Sequence, residues 1–176
     1  DDRTRGIVKW VFEIIVTLVF AVLVAISAFQ TVTLQESAME PTYSVGQKFF
    51  VNRALYKIKS PKRGDVIVFK TSASDDAALH IRRVIGLPGE TVQIKEGQIY
   101  INGNVYEENG AYQEIADGGL ADSAITLESG EYFVLGDNRN NSEDSRFSDI
   151  GNISKKYIVG KIWFTVSPKS KIGFIR

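Results

Sequence analysis

The sequence predicts a mainly β fold, an antiparallel β-sheet domain carried behind one N-terminal transmembrane helix. Three observations predict it. An apolar run extends from Ile7 to Phe29, the composition changes from Thr31 onward to short runs rich in Val, Ile, Phe, Tyr and Thr, and Gly, Asn, Asp or Pro punctuates those runs. With 176 residues and 44% hydrophobic content, the chain suits one domain with its own core.

The first element is the helix. Only Lys9, Glu13, Thr17 and Ser27 interrupt the run, and no charge follows Glu13 within it. At about 1.5 Å per residue it reaches about 34 Å, enough for a hydrocarbon core of about 30 Å. Lys9, Glu13 and Trp10 lie near one end, where interfacial groups belong. Arg3, Arg5 and Lys9 flank the amino end and the next basic residue after the run is Lys48, so the positive-inside rule puts residues 1–6 in the cytoplasm. Residues 7–29 are then the transmembrane helix and residues 30–176 an extracytoplasmic domain of a single-pass cell-membrane protein in contact with lipid. A cleaved secretory signal is the competing reading, because Ala25-Ile26-Ser27 offers small residues after an apolar run. The length of the run favours the anchor, and a buried core helix is weaker because every face from Ile14 to Val24 is apolar apart from Thr17.

The strands follow in order: Thr31 to Leu34, Lys48 to Asn52, Asp65 to Lys70, His80 to Leu87, Thr91 to Lys95, Gln98 to Ile101, Glu131 to Leu135 and Ile158 to Val166. Lys95-Glu96-Gly97-Gln98 and Ile101-Asn102-Gly103-Asn104 put residues that tolerate positive φ between apolar runs, so Thr91 to Val105 reads as successive hairpins. Leu87-Pro88-Gly89-Glu90 closes one strand and opens another. Residues 107–129 lack strand periodicity and carry Asn109-Gly110 and Asp117-Gly118-Gly119, the marks of an irregular insertion or cap. Ser142 to Ser154 is a polar loop.

Composition excludes several functions. With 21 basic and 21 acidic residues there is no whole-domain basic footprint, and no Lys/Arg block interleaves with aromatic residues, so nucleic acid is not an expected partner. The chain has no cysteine, hence no disulfide and no thiolate chemistry. A single histidine rules out an all-histidine metal site and no clustered carboxylate motif suggests calcium, so neither metal nor cofactor is expected.

Chemistry is concentrated in four boxes. They are Glu36-Ser37-Ala38-Met39-Glu40-Pro41-Thr42, Lys62-Arg63-Gly64-Asp65-Val66-Ile67-Val68-Phe69, His80-Ile81-Arg82-Arg83-Val84-Ile85-Gly86-Leu87-Pro88-Gly89-Glu90, and Gly136-Asp137-Asn138-Arg139-Asn140-Asn141-Ser142-Glu143-Asp144-Ser145-Arg146. Singly, the first two are weak: proline after a strand and Arg-Gly-Asp before one are ordinary turn chemistry. The fourth is strong, because a plain connection needs no such dense, ordered set of donors and charges.

In order and spacing the boxes and the N-terminal helix resemble the type I signal peptidases over nearly the whole chain. That family removes signal peptides from exported precursors with a Ser-Lys dyad, a serine nucleophile activated by a lysine of lowered pKa. The resemblance implies that position 38 holds the nucleophile and a main-chain N–H for the oxyanion, that position 82 holds the general base, that Ser142 orients that base, and that Asp144 and Arg146 brace the loop. It also implies substrate contacts at Met39 and Pro41, and the signal-peptide region of an exported precursor as partner. Arg83 is a candidate ion-pair partner for Asp144, set against a plain surface network of little consequence.

Two positions depart from the family pattern. Ala38 has no hydroxyl, and Arg82 carries a guanidinium that stays protonated near neutral pH. Ser37 is a poor substitute, since adjacent residues of an extended segment point to opposite faces. No spacing argument brings Lys70 to the site. His80, two positions before Arg82, shares its strand face and is the alternative base; it reads instead as a tolerated strand residue, because the matching box sets position 82 as the base and no serine occupies position 38. The sequence therefore predicts a family member inactive at its own dyad position; a non-catalytic factor that binds or assembles exported proteins is the alternative, and a membrane-anchored structural β protein the remaining class.

Overall fold

Turn chemistry and alternation build two antiparallel sheets in the computed structural model, which describes residues 2–74 and 76–175. In chain order the elements are α1 (Asp2–Ala28), β1 (Phe29–Thr33), a 3-10 turn (Ser37–Met39), β2 (Lys48–Asn52), α2 (Leu55–Ile58), β3 (Val66–Phe69), β4 (His80–Gly86), β5 (Thr91–Lys95), β6 (Gln98–Ile101) and β7 (Asn104–Val105). A 3-10 turn (Gly119–Asp122), β8 (Ile125–Thr126), β9 (Glu131–Leu135), β10 (Ile153–Ser154), β11 (Ile158–Ser167) and β12 (Gly173–Phe174) complete them, with short 3-10 turns on either side of β11. The larger sheet has eight strands in the order β1-β2-β11-β3-β4-β9-β10, with β12 added along β11. The smaller has four, in the order β7-β6-β5-β8.

Side-chain alternation divides the interior. In β3 all four residues are buried, as expected of a central strand covered on both faces. Val66 and Val68 pack with Val32, Met39, Phe49, Val51 and Ile81, whereas Ile67 and Phe69 pack with Tyr56, Val84, Tyr132 and Val134 on the opposite face. A third cluster joins the sheets: Val92, Ile94 and Ile99 meet Ile85, Phe133 and Leu135. Residues 107–129 feed Ile115, Ala121 and Leu127 into that cluster, so this insertion is packed structure and not a loose flap.

The expected strands are present, with small shifts at their ends. The first opens at Phe29, which pairs with Asn52, so α1 ends at Ala28 and Phe29 belongs to the sheet. Glu96 and Gly97, then Asn102 and Gly103, adopt positive φ and close the β5–β6 and β6–β7 hairpins as their sequence predicts. The two-residue strands β8, β10 and β12 were not expected from the sequence, because two residues carry no period, whereas β7 is the far side of the second expected hairpin.

α1 is long and apolar enough to cross a membrane, and none of its apolar stretch is buried against the rest of the chain.

At the seam of β2 and β11, Gly160 allows a close approach that no side chain would. A Cβ there would lie 2.4 Å from the Asn52 carbonyl oxygen and 2.9 Å from Val51 Cγ1, whereas one at Gly173 would meet nothing within 4 Å. Gly160→Ala is therefore expected to destabilise the fold by about 1–3 kcal/mol. Denaturant unfolding in detergent checks this, with Gly173→Ala expected to lie near the parent midpoint.

Candidate active site

β4 and β9 lie side by side, Arg83 opposite Leu135, and the chain leaving β9 turns back as residues 136–146. The Ser37–Met39 turn meets that loop. Asn138 N–H donates to the Ala38 carbonyl (2.9 Å) and Asn138 Nδ2 to the Ser37 carbonyl (3.2 Å). A Cβ on Gly136 would lie 2.5 Å from the Ala38 oxygen and 2.1 Å from Ser142 Oγ, so only glycine lets the three come together. Between them opens a cleft of about 610 Å³ whose walls include Glu36, Ala38, Arg82 and Ser142.

Arg82 is 1% exposed and every nitrogen of its guanidinium is engaged. Nε donates to the Glu143 carbonyl (2.7 Å), Nη1 to the Ile81 carbonyl (2.8 Å), and Nη2 lies 2.6 Å from Glu36 Oε2. The other Glu36 oxygen lies 2.9 Å from His80 Nδ1, whose ring stacks at 5.7 Å on Phe69. Burial pushes the Glu36 carboxyl up, but the His80 ring and the Arg82 charge against it prevail and hold it at about 2. Glu36 thus ties the turn to β4, a role with no sign in the local sequence.

The loop is braced from behind. Asp144 is fully buried; its Oδ2 accepts the Gly136 N–H (3.0 Å), and Arg146 grips both oxygens, Nε to Oδ1 at 2.8 Å and Nη2 to Oδ2 at 2.9 Å. Ser145 pairs with β9 in both directions, its Oγ accepting the Val134 N–H (2.9 Å) and its own N–H donating to the Val134 carbonyl (3.1 Å). Arg146 Nη1 reaches the Asp117 carbonyl (3.0 Å), and Arg139 forms a charged fork with Glu108 over the Tyr112 ring. The 107–129 insertion is therefore the loop's outer support.

Three expectations need correction. Arg83 does not pair with Asp144: Leu135 stands opposite it, so the carboxylate two residues on, Asp137, faces it with Nε–Oδ1 at 2.8 Å and Nη2–Oδ2 at 2.6 Å. Burial alone would lower the Arg83 guanidinium, but this bidentate pair pushes it up. Nor is the set a surface network, since Asp137, Asp144 and Arg146 are all buried. Ser37 also lies in a 3-10 turn and not in an extended segment. The opposite-face argument fails there: Ser37 borders the same cleft as Ala38, and its hydroxyl accepts a hydrogen bond from Asn141 Nδ2 (3.1 Å).

The remaining candidates fall in different places. Ser142 lines the cleft with its hydroxyl buried and, among the described residues, without a hydrogen-bond partner. Met39 is fully buried in the core beneath the turn and Pro41 is exposed; neither lines the cleft. Lys70 lies elsewhere, at a second hollow, with Nζ donating to the Ser74 carbonyl (3.2 Å). Chemically, the cleft offers a main-chain turn, a fixed cation and a free hydroxyl, but no side-chain hydroxyl at position 38 and no neutral amine at position 82.

The family profile described as "Signal peptidase, peptidase S26" matches residues 7–167. A signal peptidase I of Bacillus amyloliquefaciens is 36% identical over 178 residues, spanning 97% of this chain and 94% of that protein. One of Bacillus licheniformis is 31% identical over 179 residues, spanning 97% and 94%. The crystal structure of a signal peptidase I from Enterococcus faecalis is 33% identical, covers 59% of this chain and 97% of that one, and has a TM-score of 0.45.

The low pKa of Glu36 has a measurable consequence. Its carboxylate contributes stability in full above the ordinary value of 4.5, and the contribution is lost as pH falls from there toward about 2. Glu36→Gln is expected to flatten the acid side of the stability curve between pH 4.5 and 2, read by urea unfolding at a series of pH values. An unchanged slope in the variant would show that the carboxylate does not hold this pair.

Proposed function

The chain belongs to the signal peptidase family, peptidase S26, and from that membership we propose that it is a membrane-anchored member whose cleft receives the signal-peptide region of exported precursors without cutting it. Residues 1–6 form a cytoplasmic tail, residues 7–28 the membrane span and residues 29–176, opening at Phe29 of β1, the extracytoplasmic domain. The basic flank of Arg3, Arg5 and Lys9 supports that orientation.

One observation carries the loss of activity. Ala38 supplies no nucleophile, while Arg82 is buried with all its nitrogens bound, so the family's two reacting groups are both replaced. Removing such a nucleophile alone can cost a factor of about a million in turnover. The unpartnered Ser142 hydroxyl supports the same reading. The family pattern gives it an amine at position 82 to orient, and here the guanidinium turns to Glu36 and Glu143 instead. Asp144 and Arg146 then act as supports that keep the cleft open, and position 38 contributes its main chain to binding.

That each guanidinium nitrogen of Arg82 has a partner also favours the second reading, a binding or assembly factor for exported proteins. Glu36 and two carbonyls meet the arginine at three of its five donors, and the buried charge is matched by a carboxylate. In this reading the cleft holds an extended precursor segment through main-chain hydrogen bonds, with small side chains at alternate positions.

Incubating the detergent-solubilised chain with a signal-bearing precursor tests the proposal. No cleavage is expected from the parent, from Ala38→Ser or from Arg82→Lys, and cleavage is expected to return only when both changes are made. Adding Glu36→Gln to that pair is expected to raise the rate near neutral pH, because a carboxylate beside residue 82 favours the charged ammonium over the neutral base. Site-specific cutting by the parent would refute inactivity, and a doubly restored chain that binds but does not cut would establish the binding role.

A further inference from the structure

A second hollow lies where α1 joins the sheet. Phe29 pairs with Asn52, Asn52 with Lys161, and Ile158 with Phe69, so the end of β2, the start of β11 and the end of β3 converge there. Arg53 N–H donates to the Ala28 carbonyl at 2.9 Å, fastening this corner to the last residue of the helix. The hollow measures about 880 Å³, within the range of ordinary ligand sites, and Gln30, Arg53, Lys57, Lys70, Lys155 and Lys156 are among its walls.

Its charge is one-sided. Among the described residues no Asp or Glu lines it, although the chain as a whole carries equal numbers of acidic and basic side chains. Nor do Arg53, Lys57, Lys155 or Lys156 form an ion pair with any described carboxylate. Lys155 Nζ donates to Ser60 Oγ (3.3 Å), and Lys156 Nζ lies 4.8 Å from the Tyr157 ring centre. These neighbours position cations without neutralising them. Beside Lys57 on α2, Ile58 is 84% exposed, a bulky apolar side chain next to the basic walls. A soluble phosphate needs no such neighbour; a lipid surface, apolar below and anionic above, matches both.

We infer that this hollow binds the phosphate of an anionic phospholipid headgroup in the leaflet where α1 meets the domain, an attachment separate from the peptide cleft. The inference rests on α1 as a membrane span. Arg53, Lys57, Lys155 and Lys156 supply the charge, and Ile58 enters the interface beside them.

Native mass spectrometry of the full chain in detergent, with phosphatidylglycerol and phosphatidylcholine of matched acyl chains, tests it. Phosphatidylglycerol is expected to be retained about tenfold or more over phosphatidylcholine. The preference is expected to fall to near parity in Arg53→Gln/Lys57→Gln/Lys155→Gln/Lys156→Gln and to persist in Lys169→Gln/Lys171→Gln, a basic pair outside the hollow. If the fourfold variant does not fold, Lys57→Gln/Lys156→Gln, changed only at exposed side chains, is expected to show an intermediate loss. Equal retention of both lipids by the parent, an equal loss in the outside pair, or displacement of phosphatidylglycerol by inorganic phosphate would overturn the inference. Alkaline extraction from phosphatidylcholine vesicles reads the anchor separately. A chain that stays in those vesicles without headgroup preference overturns the lipid site alone, and one that is extracted overturns the membrane span beneath it.

Discussion

A carboxylate removed from water must find its charge and its lone pairs matched inside the protein, and the fully buried Asp144 is where this molecule meets that demand. One oxygen takes the Gly136 N–H at the end of β9 and both take the Arg146 guanidinium. Because Arg146 also reaches the Asp117 carbonyl and its own carbonyl accepts the Leu120 N–H, the pair fixes three pieces of chain at once: the end of β9, the returning loop and the insertion. Removing either partner would leave an uncompensated buried ion, a loss of about 3–5 kcal/mol, which is a large share of the stability of a domain this size. The cleft keeps its shape because its rear wall cannot relax without exposing that charge.

The same rule explains how the front wall accommodates its substitution. A buried lysine has the option of becoming neutral, and the family chemistry depends on that option; a guanidinium does not have it. Arg82 must therefore be paired wherever it lies, and Glu36, two residues before Ala38, pairs it. The pairing draws the turn toward β4 and spends on structure the electrostatics that the dyad would use for chemistry. On the proposed reading Ala38 and Arg82 are thus coupled: without a nucleophile a neutral base has no task, and a guanidinium cannot serve a hydroxyl at position 38 as its base.

What was legible in the sequence was whatever local chemistry decides. Asn102-Gly103 announced its hairpin because positive φ is a property of those two residues, and β2, β5, β6 and β9 kept the bounds their composition suggested. Partners across the fold were not legible. The 3-10 turn at Ser37 is clamped by Asn138, 101 residues away, so an extended reading of that segment was wrong for a reason outside it. Whether Arg83 meets Asp137 or Asp144 depends on the pairing of β4 with β9, which no spacing within the loop reveals. The boxes were readable as boxes; the links from Glu36 to Arg82 and from Glu108 to Arg139 exist only once the sheets are assembled.

The anchor and the cleft are joined by very little chain. From Phe29 to Glu36 there are seven residue steps, which at about 3.3 Å each allow at most about 23 Å between the end of α1 and the carboxylate at the cleft wall. β1 occupies most of that path and is paired along its whole length to β2, while Arg53 ties the far end of β2 back to Ala28, so the connection is a strut and not a tether. With α1 in a bilayer, as proposed, such a strut confines the cleft to a narrow layer above the surface. This placement depends on hydrogen bonds of the sheet and not on the atoms at positions 38 and 82. On the proposed reading, changes at those two positions remove the cut while leaving this placement intact, and that separation is what makes a non-catalytic binding role physically available to the scaffold.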